Sequence, residues 1–258
     1  MIKTPAELAL MAESGRLLAS VFAYIDTLPL QGMNTLAIND AAERYITEVL
    51  KARPASKGQY GFPYALNSSI NHVVCHGVPS ARDVLADGDI VNLDITLEKN
   101  GYVADSSKTY LIGNVAENAQ RLVRETYAAM WAGICAVRPG ATLGDIGHAI
   151  EQHARANGYS VVADFCGHGI GRRMHEPPAV LHVGVPGTGL RLKPGMTFTI
   201  EPMLNEGRAS VRMLKDGWSM VTRDGKLSAQ FEHTVAVTSS GVQVLTLRED
   251  EQDLSRVA

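Results

Sequence analysis

Asp94 and Asp105 stand where two carboxylates can act together. They lie in residues 89–110, DIVNLDITLEKNGYVADSSKTY. From Ile90 onward Val91, Leu93, Ile95 and Leu97 fall on one side and Asn92, Asp94 and Thr96 on the other, the period of two that marks a strand. Asn100-Gly101 then supplies a tight turn, because both residues tolerate φ > 0. A two-residue loop sets Lys99 opposite Tyr102, Thr96 opposite Asp105 and Asp94 opposite Ser107. The two acids then share one face as diagonal neighbours, with Cβ atoms about 7 Å apart or less. Carboxylates so close repel unless a proton or a cation sits between them. A metal ion satisfies the pair, and a one-residue slip in register would abolish the arrangement. Taken alone, the hairpin reads more simply as a solvated ribbon with two unrelated acids.

Further candidates are spread along the chain. Glu232 lies in the strand-like LSAQFEHTVAV, where an acid is either an exposed residue or a ligand. His168 lies in CGHGIGR, and His175 follows shortly before Pro177-Pro178. A lone histidine is usually structural, but the crowding glycines and prolines suggest a shaped loop holding both toward a cleft. The Gly167 to Gly171 run is not a phosphate loop, since its spacing is wrong and prolines rather than a helix follow. His76 ends the apolar VVCHGVP beside a Gly turn, a common place for site residues. Glu201 enters through an internal match. GMNTL at Gly32 resembles GATL at Gly140, and LADGDIVNLD at Leu85 resembles LKPGMTFTIE at Leu192. With Thr35 on Thr142 and Asp94 on Glu201, both matches share the offset 142 − 35 = 201 − 94 = 107. A duplication follows, and it brings a third carboxylate to the position of Asp94.

These residues need elements to position them. Thr4-Pro5-Ala6-Glu7 is a helix start with a capping box and Pro at the first position; apolar spacing carries that helix to about Leu28. A second helix is expected over about 35–51, then a Gly-, Pro- and Tyr-rich loop over 54–67, then a short strand over 70–76 before the hairpin. After Gly113 the order repeats, with helices over about 117–137 and 143–157 and Gly-rich, strand-like segments beyond.

The chain has 258 residues, 45% of them hydrophobic, and a formal net charge of −3. That length allows one large domain or two modest ones. No basic run interleaved with aromatics marks a nucleic-acid surface, the N-terminus lacks the apolar core of a signal peptide, and no stretch reads as a membrane span. Cys75, Cys135 and Cys166 are odd in number and far apart, so they read as reduced thiols of a cytoplasmic protein.

At this point several ordered motifs together resemble type I methionine aminopeptidases, of the pita-bread metallopeptidase fold, over nearly the whole chain. They are VVCHGVP at Val73, DGDIVNLDITLEKNGYVADSSKTY at Asp87, CGHGIGRRMHEPP at Cys166, KPGMTFTIEPM at Lys193, KDGW at Lys215 and SAQFEHT at Ser228. The resemblance implies an α/β (α+β) pita-bread fold. One catalytic domain, 1–258, would hold two pseudo-twofold halves, about 1–113 and 114–250, with a curved antiparallel sheet flanked by helices.

The resemblance also implies a site. Asp94, Asp105, His168, Glu201 and Glu232 match the family's metal ligands, with Asp105 and Glu232 bridging. An oxygen-rich set with one imidazole suits two divalent ions such as Co, Mn, Fe or Zn. Glu201 would double as the proton shuttle from a shared water. His76 would serve the scissile amide and His175 the developing oxyanion. Phe62, Asn67, His76 and Trp218 would line a narrow slot for an unbranched thioether. Gln59, Asn67 and Met174 stand where many relatives carry Tyr, Cys and Phe, which alters the rim. A monovalent cation is expected near Asn71, Val73 and Ser228. The implied activity is removal of the initiator methionine from nascent chains with a small second residue, by a cytoplasmic monomer that meets its substrate at the ribosome and binds neither nucleic acid nor membrane. The short segment between His175 and Glu201 favours type I over type II. An X-Pro-type peptidase and a non-catalytic homologue are the alternatives.

Overall fold

The computed structural model describes residues 2–256. Its first half runs α1 (Pro5–Asp26), α2 (Thr35–Arg44) with a π-helical continuation (Tyr45–Val49), β1 (Arg53–Pro54), a 3-10 turn (Gln59–Gly61), β2 (Leu66–Ile70), β3 (Val73–Cys75), β4 (Ile90–Lys99) and β5 (Tyr102–Leu111). The second half opens with α3 (Glu117–Cys135), α4 (Leu143–Ala156), β6 (Ser160–Val161), β7 (Gly167–Gly169) and β8 (Glu176–Val180). It closes with β9 (Thr197–Ile200), β10 (Met203–Asn205), β11 (Val211–Met213), β12 (Met220–Thr222), β13 (Ser228–Gln230), β14 (Glu232–Val237) and β15 (Val242–Val244).

Local chemistry sets the helix starts. Thr4 Oγ1 accepts from Glu7 N, and the Glu7 carboxylate accepts from Thr4 N, so the capping box read from the sequence forms with Pro5 behind it. Asn34 caps α2, and Thr142 with Asp145 makes a second capping box at α4. These two caps also enter equivalent contacts. Gly32 N donates to Leu85 O as Gly140 N does to Leu192 O, and Leu85 N donates to Met33 O as Leu192 N does to Ala141 O. The helix caps are therefore related by 142 − 34 = 108 and the strand approaches by 192 − 85 = 107. Asn34, not Thr35, is the counterpart of Thr142. The residue that must be extended with a side chain reaching back to the helix is the cap, and that requirement outweighs the Thr-Thr identity.

The principal sheet orders β1-β4-β5-β14-β9-β7-β8, with β2 on β4 and β15 on β14. It is an antiparallel sheet flanked by helices, as the resemblance implied. Val91, Leu93, Ile95 and Leu97 of β4 face Leu18, Val21, Phe22 and Ile25 of α1 in one core, and Phe198, Ile200 and Val235 pack with α3 and α4 in another. Each such fully buried side chain contributes about 1.5–3 kcal/mol. By length and composition α1 does reach the measure of a membrane span, contrary to the sequence reading. Its apolar face is packed on the sheet, as the core helix of a folded domain would be.

The strand expected over 70–76 is two strands. β2 starts inside the expected loop at Leu66, and Asn71 at φ 53 turns the chain into β3. Asn tolerates that left-handed backbone, so the apolar run bends instead of continuing.

Candidate metal centre

The hairpin has the register that the turn dictates: Lys99 pairs with Tyr102, Thr96 with Asp105 and Asp94 with Ser107. Asn100 and Gly101 both have positive φ. The neighbouring strands extend this into two rows on one face of the sheet. Asn67 pairs with Asp94, Asp94 with Ser107 and Ser107 with Glu232. β14 and β9 pair His233 with Ile200, so the next pair along sets Glu201 against Glu232. The second row runs Thr96, Asp105, Thr234 and Thr199; the Thr234 hydroxyl accepts from Asp105 N (3.1 Å) and donates to Asp105 O (2.8 Å). Side chains two apart on a strand share a face, so pairing alone gathers the four acids from β4, β5, β14 and the end of β9.

His168 joins them from β7. Its backbone N donates to Thr199 Oγ1 (2.9 Å), and that hydroxyl donates to Glu201 Oε1 (2.8 Å). The approach requires glycine on both sides of the histidine: a Cβ on Gly167 would lie 2.3 Å from Thr199 O, and one on Gly169 would lie 2.3 Å from Pro177 O. His168 Nε2 is then 3.6 Å from Glu201 Oε1 and 3.8 Å from Asp105 Oδ2. These gaps exceed a hydrogen bond, yet lie within twice a metal–ligand bond of about 2.0–2.2 Å. Ligand atoms of Asp105, His168 and Glu232 all lie within 4.8 Å of one another. Asp105 Oδ1 is buried with no hydrogen-bond partner. A carboxyl buried so must keep its proton or meet a cation, and the donor set fits divalent ions.

The electrostatics agree. Burial first, and repulsion among the acids second, push Asp105 and Glu232 well above the usual carboxylate range. Asp94 is raised to about 7, chiefly by burial, and Glu201 to about 8, by burial with Asp94 adding to it. Burial also lowers His168 to about 4 and holds His76 and His175 below the ordinary imidazole value. The imidazoles are therefore neutral near pH 7, as metal ligation or hydrogen-bond donation requires.

Above the acids opens a cavity of about 320 Å³. Every sequence-predicted residue of the metal and substrate sets lines it: Phe62, Asn67, His76 and His175, the five ligand candidates, and Trp218, together with Gln59 and Met174 of the altered rim. Phe62 and Trp218 meet edge to face at 5.0 Å. Asn67 Nδ2 also reaches Asp94 Oδ2 at 3.4 Å, which ties the lining amide to the acid beside it. His76 packs edge-on against Phe165. Two of the three cation-site candidates meet, since Ser228 N donates to Asn71 O and Ser228 Oγ is buried without a partner, while Val73 pairs with Val221 of β12.

Sequence reasoning missed several contributors. Thr199 ties His168 to Glu201, Gln230 Nε2 reaches Glu201 Oε2 at 3.4 Å, and His182 Nε2 accepts from Glu201 N at 3.2 Å. Tyr60 places its hydroxyl 3.2 Å from His175 Nδ1. Thr199 could have been found from its spacing of two from Glu201. The others carried no signal, because their partners lie on distant strands or loops.

A curled sheet with buried acids and an imidazole under an open cleft is the architecture of a metal-dependent hydrolase. The profile of metallopeptidase family M24 matches residues 9–239, and the chain belongs to that family. It is 47% identical to methionine aminopeptidase B of Synechocystis sp. over 93% of this chain and 89% of that one. It is 44% identical to methionine aminopeptidase of Escherichia coli (strain K12) over 97% and 95% of the two chains. The crystal structure of methionine aminopeptidase from Rickettsia prowazekii superposes with a TM-score of 0.94 at 46% identity, covering 96% of this chain and 99% of that one.

Proposed function

We propose that this chain is a metal-dependent aminopeptidase that removes the N-terminal methionine from peptides and nascent proteins whose second residue is small. The observation that carries the reading is the pair of side-chain rows that brings Asp94, Asp105, Glu232 and Glu201 to His168 beneath a cavity edged by Phe62 and Trp218. Asp94, Asp105, His168, Glu201 and Glu232 would hold two divalent cations of the Co, Mn, Fe or Zn type. When bound, such a pair polarises the scissile carbonyl and makes water nucleophilic near neutral pH.

The chain's own groups do the rest. Glu201, whose proton affinity is raised by burial, takes a proton from the attacking water and passes it on. His76 donates to the scissile amide and His175 to the carbonyl oxygen as charge develops there. Phe62 and Trp218 receive the thioether, while Asn67 steadies Asp94. Ser228 Oγ, with backbone oxygens at Asn71 and Val73, would take a monovalent cation. The duplicated contacts of the two capped helices support one domain in two halves, about 1–113 and 114–250. The free thiols of Cys75, Cys135 and Cys166 suit a reducing, cytoplasmic compartment, in which the chain would work as a monomer on nascent chains at the ribosome.

Peptide assays with metal analysis test this. The protein loaded with Mn or Co should cleave Met-Ala-Ser and leave X-Pro peptides intact. Cleavage of X-Pro peptides instead would make it the proline-directed enzyme of the same fold. Metal content far below one ion per chain, with no rescue by added Mn or Co, would make it a non-catalytic homologue.

A further inference from the structure

Tyr60 is out of place for an aromatic residue. It is 74% exposed, and its backbone sits at φ 50, ψ 20, the left-handed region that a bulky side chain avoids. Gly58 and Gly61, both with φ near 89, bracket it in the 3-10 turn at the cavity mouth. Such strain persists where the surroundings impose it, most often beside a working site. What Tyr60 gains is a contact with His175. Its hydroxyl is 3.2 Å from His175 Nδ1, and the two rings stack with centroids 5.8 Å apart and planes 14° from parallel. His175 in turn sets its ring edge-on to His168 at 4.3 Å.

The direction of that hydrogen bond follows from the partners. A phenol is a good donor and a poor acceptor, whereas the bare nitrogen of a neutral imidazole is a strong acceptor. The bond made by one ring nitrogen decides which nitrogen carries the proton. We propose that Tyr60 is a positioning residue: by donating its phenolic O–H to Nδ1 of His175, it holds that imidazole as the Nε2–H tautomer, with Nε2 left to donate to the substrate carbonyl. The proposal rests on the reading of His175 as a donor to substrate. In the other tautomer Nε2 would be an acceptor and would repel the developing oxyanion.

The test compares wild type with Tyr60→Phe, which keeps the ring and removes only the hydroxyl. Both are loaded with Zn, labelled with ¹⁵N-histidine, and examined by multiple-bond ¹H–¹⁵N spectra of the imidazoles, alongside steady-state kinetics on Met-Ala-Ser. The expected wild-type pattern for His175 is Nε2–H alone. The variant should show a mixture of tautomers, a kcat lower by about three- to tenfold, an unchanged KM and an unchanged zinc content. A wild-type Nδ1–H pattern, or one unaltered by the substitution, overturns the proposal. So does a variant whose loss lies in KM with kcat intact, or one that loses no rate despite the tautomer change. Should the wild type cleave no Met-peptide, the functional reading fails, and the spectra still decide whether Tyr60 sets the tautomer of His175.

Discussion

His76 is a residue held where its backbone does not want to be. Its φ is 57, beyond the end of β3, and its ring is pressed edge-on to Phe165 at 5.4 Å. Burial keeps the imidazole neutral by lowering its proton affinity, so it can donate without carrying charge. His76 shares no hydrogen bond with Asp94, Asp105, His168, Glu201 or Glu232 among those described, and none of the five depends on it for its place. His76→Ala should therefore retain its metals while kcat falls by about 10²–10³-fold, the usual cost of one donor to a developing oxyanion or leaving group. Metal analysis and steady-state kinetics on the same preparation check this; turnover near that of wild type would remove His76 from the chemistry. The positive φ strains the Cβ that His and Ala share, so the substitution brings little new backbone strain and the variant should also fold.

At the scale of elements, the decisive contact is the edge-on approach of β7 to β9. Only hydrogen at the α-carbon of Gly167 lets His168 N reach Thr199 Oγ1, because any Cβ there would lie 2.3 Å from a backbone oxygen. Gly167→Ala must push β7 outward and carry His168 away from Glu201. The expected result is a loss of about 1–3 kcal/mol in urea unfolding together with weakened metal binding by titration calorimetry. An unchanged midpoint with unchanged metal affinity would show that the close approach is not what places the histidine. The same elements explain what the sequence could and could not disclose. Asp94 and Asp105 were legible because strand period, turn type and register are all local and agree. Glu201 was legible through its counterpart at Asp94, although the helix cap of that match was one residue off. Residues 66–76 misled, since the bend at Asn71 depends on Asn71 bonding to Asp89 and Ile90 across the hairpin. Thr199 was within reach of the sequence through its spacing of two from Glu201, whereas Gln230, His182 and Tyr60 act only through residues brought beside them by tertiary pairing.

On the scale of the whole molecule, two apolar cores flank a sheet whose polar face gathers like charges, and that face sets how stability responds to pH and metal. Without cations, Asp94 titrates at about 7 and Glu201 at about 8, with Asp105 and Glu232 also raised. Unfolded carboxyls titrate near 4. The folded state thus holds more protons than the unfolded chain, and stability falls as pH rises from about 4 through these folded values. Buried histidines act oppositely, since lowered values such as that of His168, about 4, make stability rise with pH. That effect ends once unfolded histidines are neutral, above about pH 6.5. From about pH 7 to about pH 9 the carboxyls therefore govern, and the unfolding temperature of the metal-free protein should drop by several °C. Divalent cations replace the lost protons, so saturating Mn should raise the unfolding temperature more at about pH 9 than at about pH 7. Differential scanning calorimetry with and without Mn measures both. A metal-free protein whose unfolding temperature is flat or rises over that interval would mean that the four acids do not crowd one another, and that the sheet does not gather them as a cation-binding face.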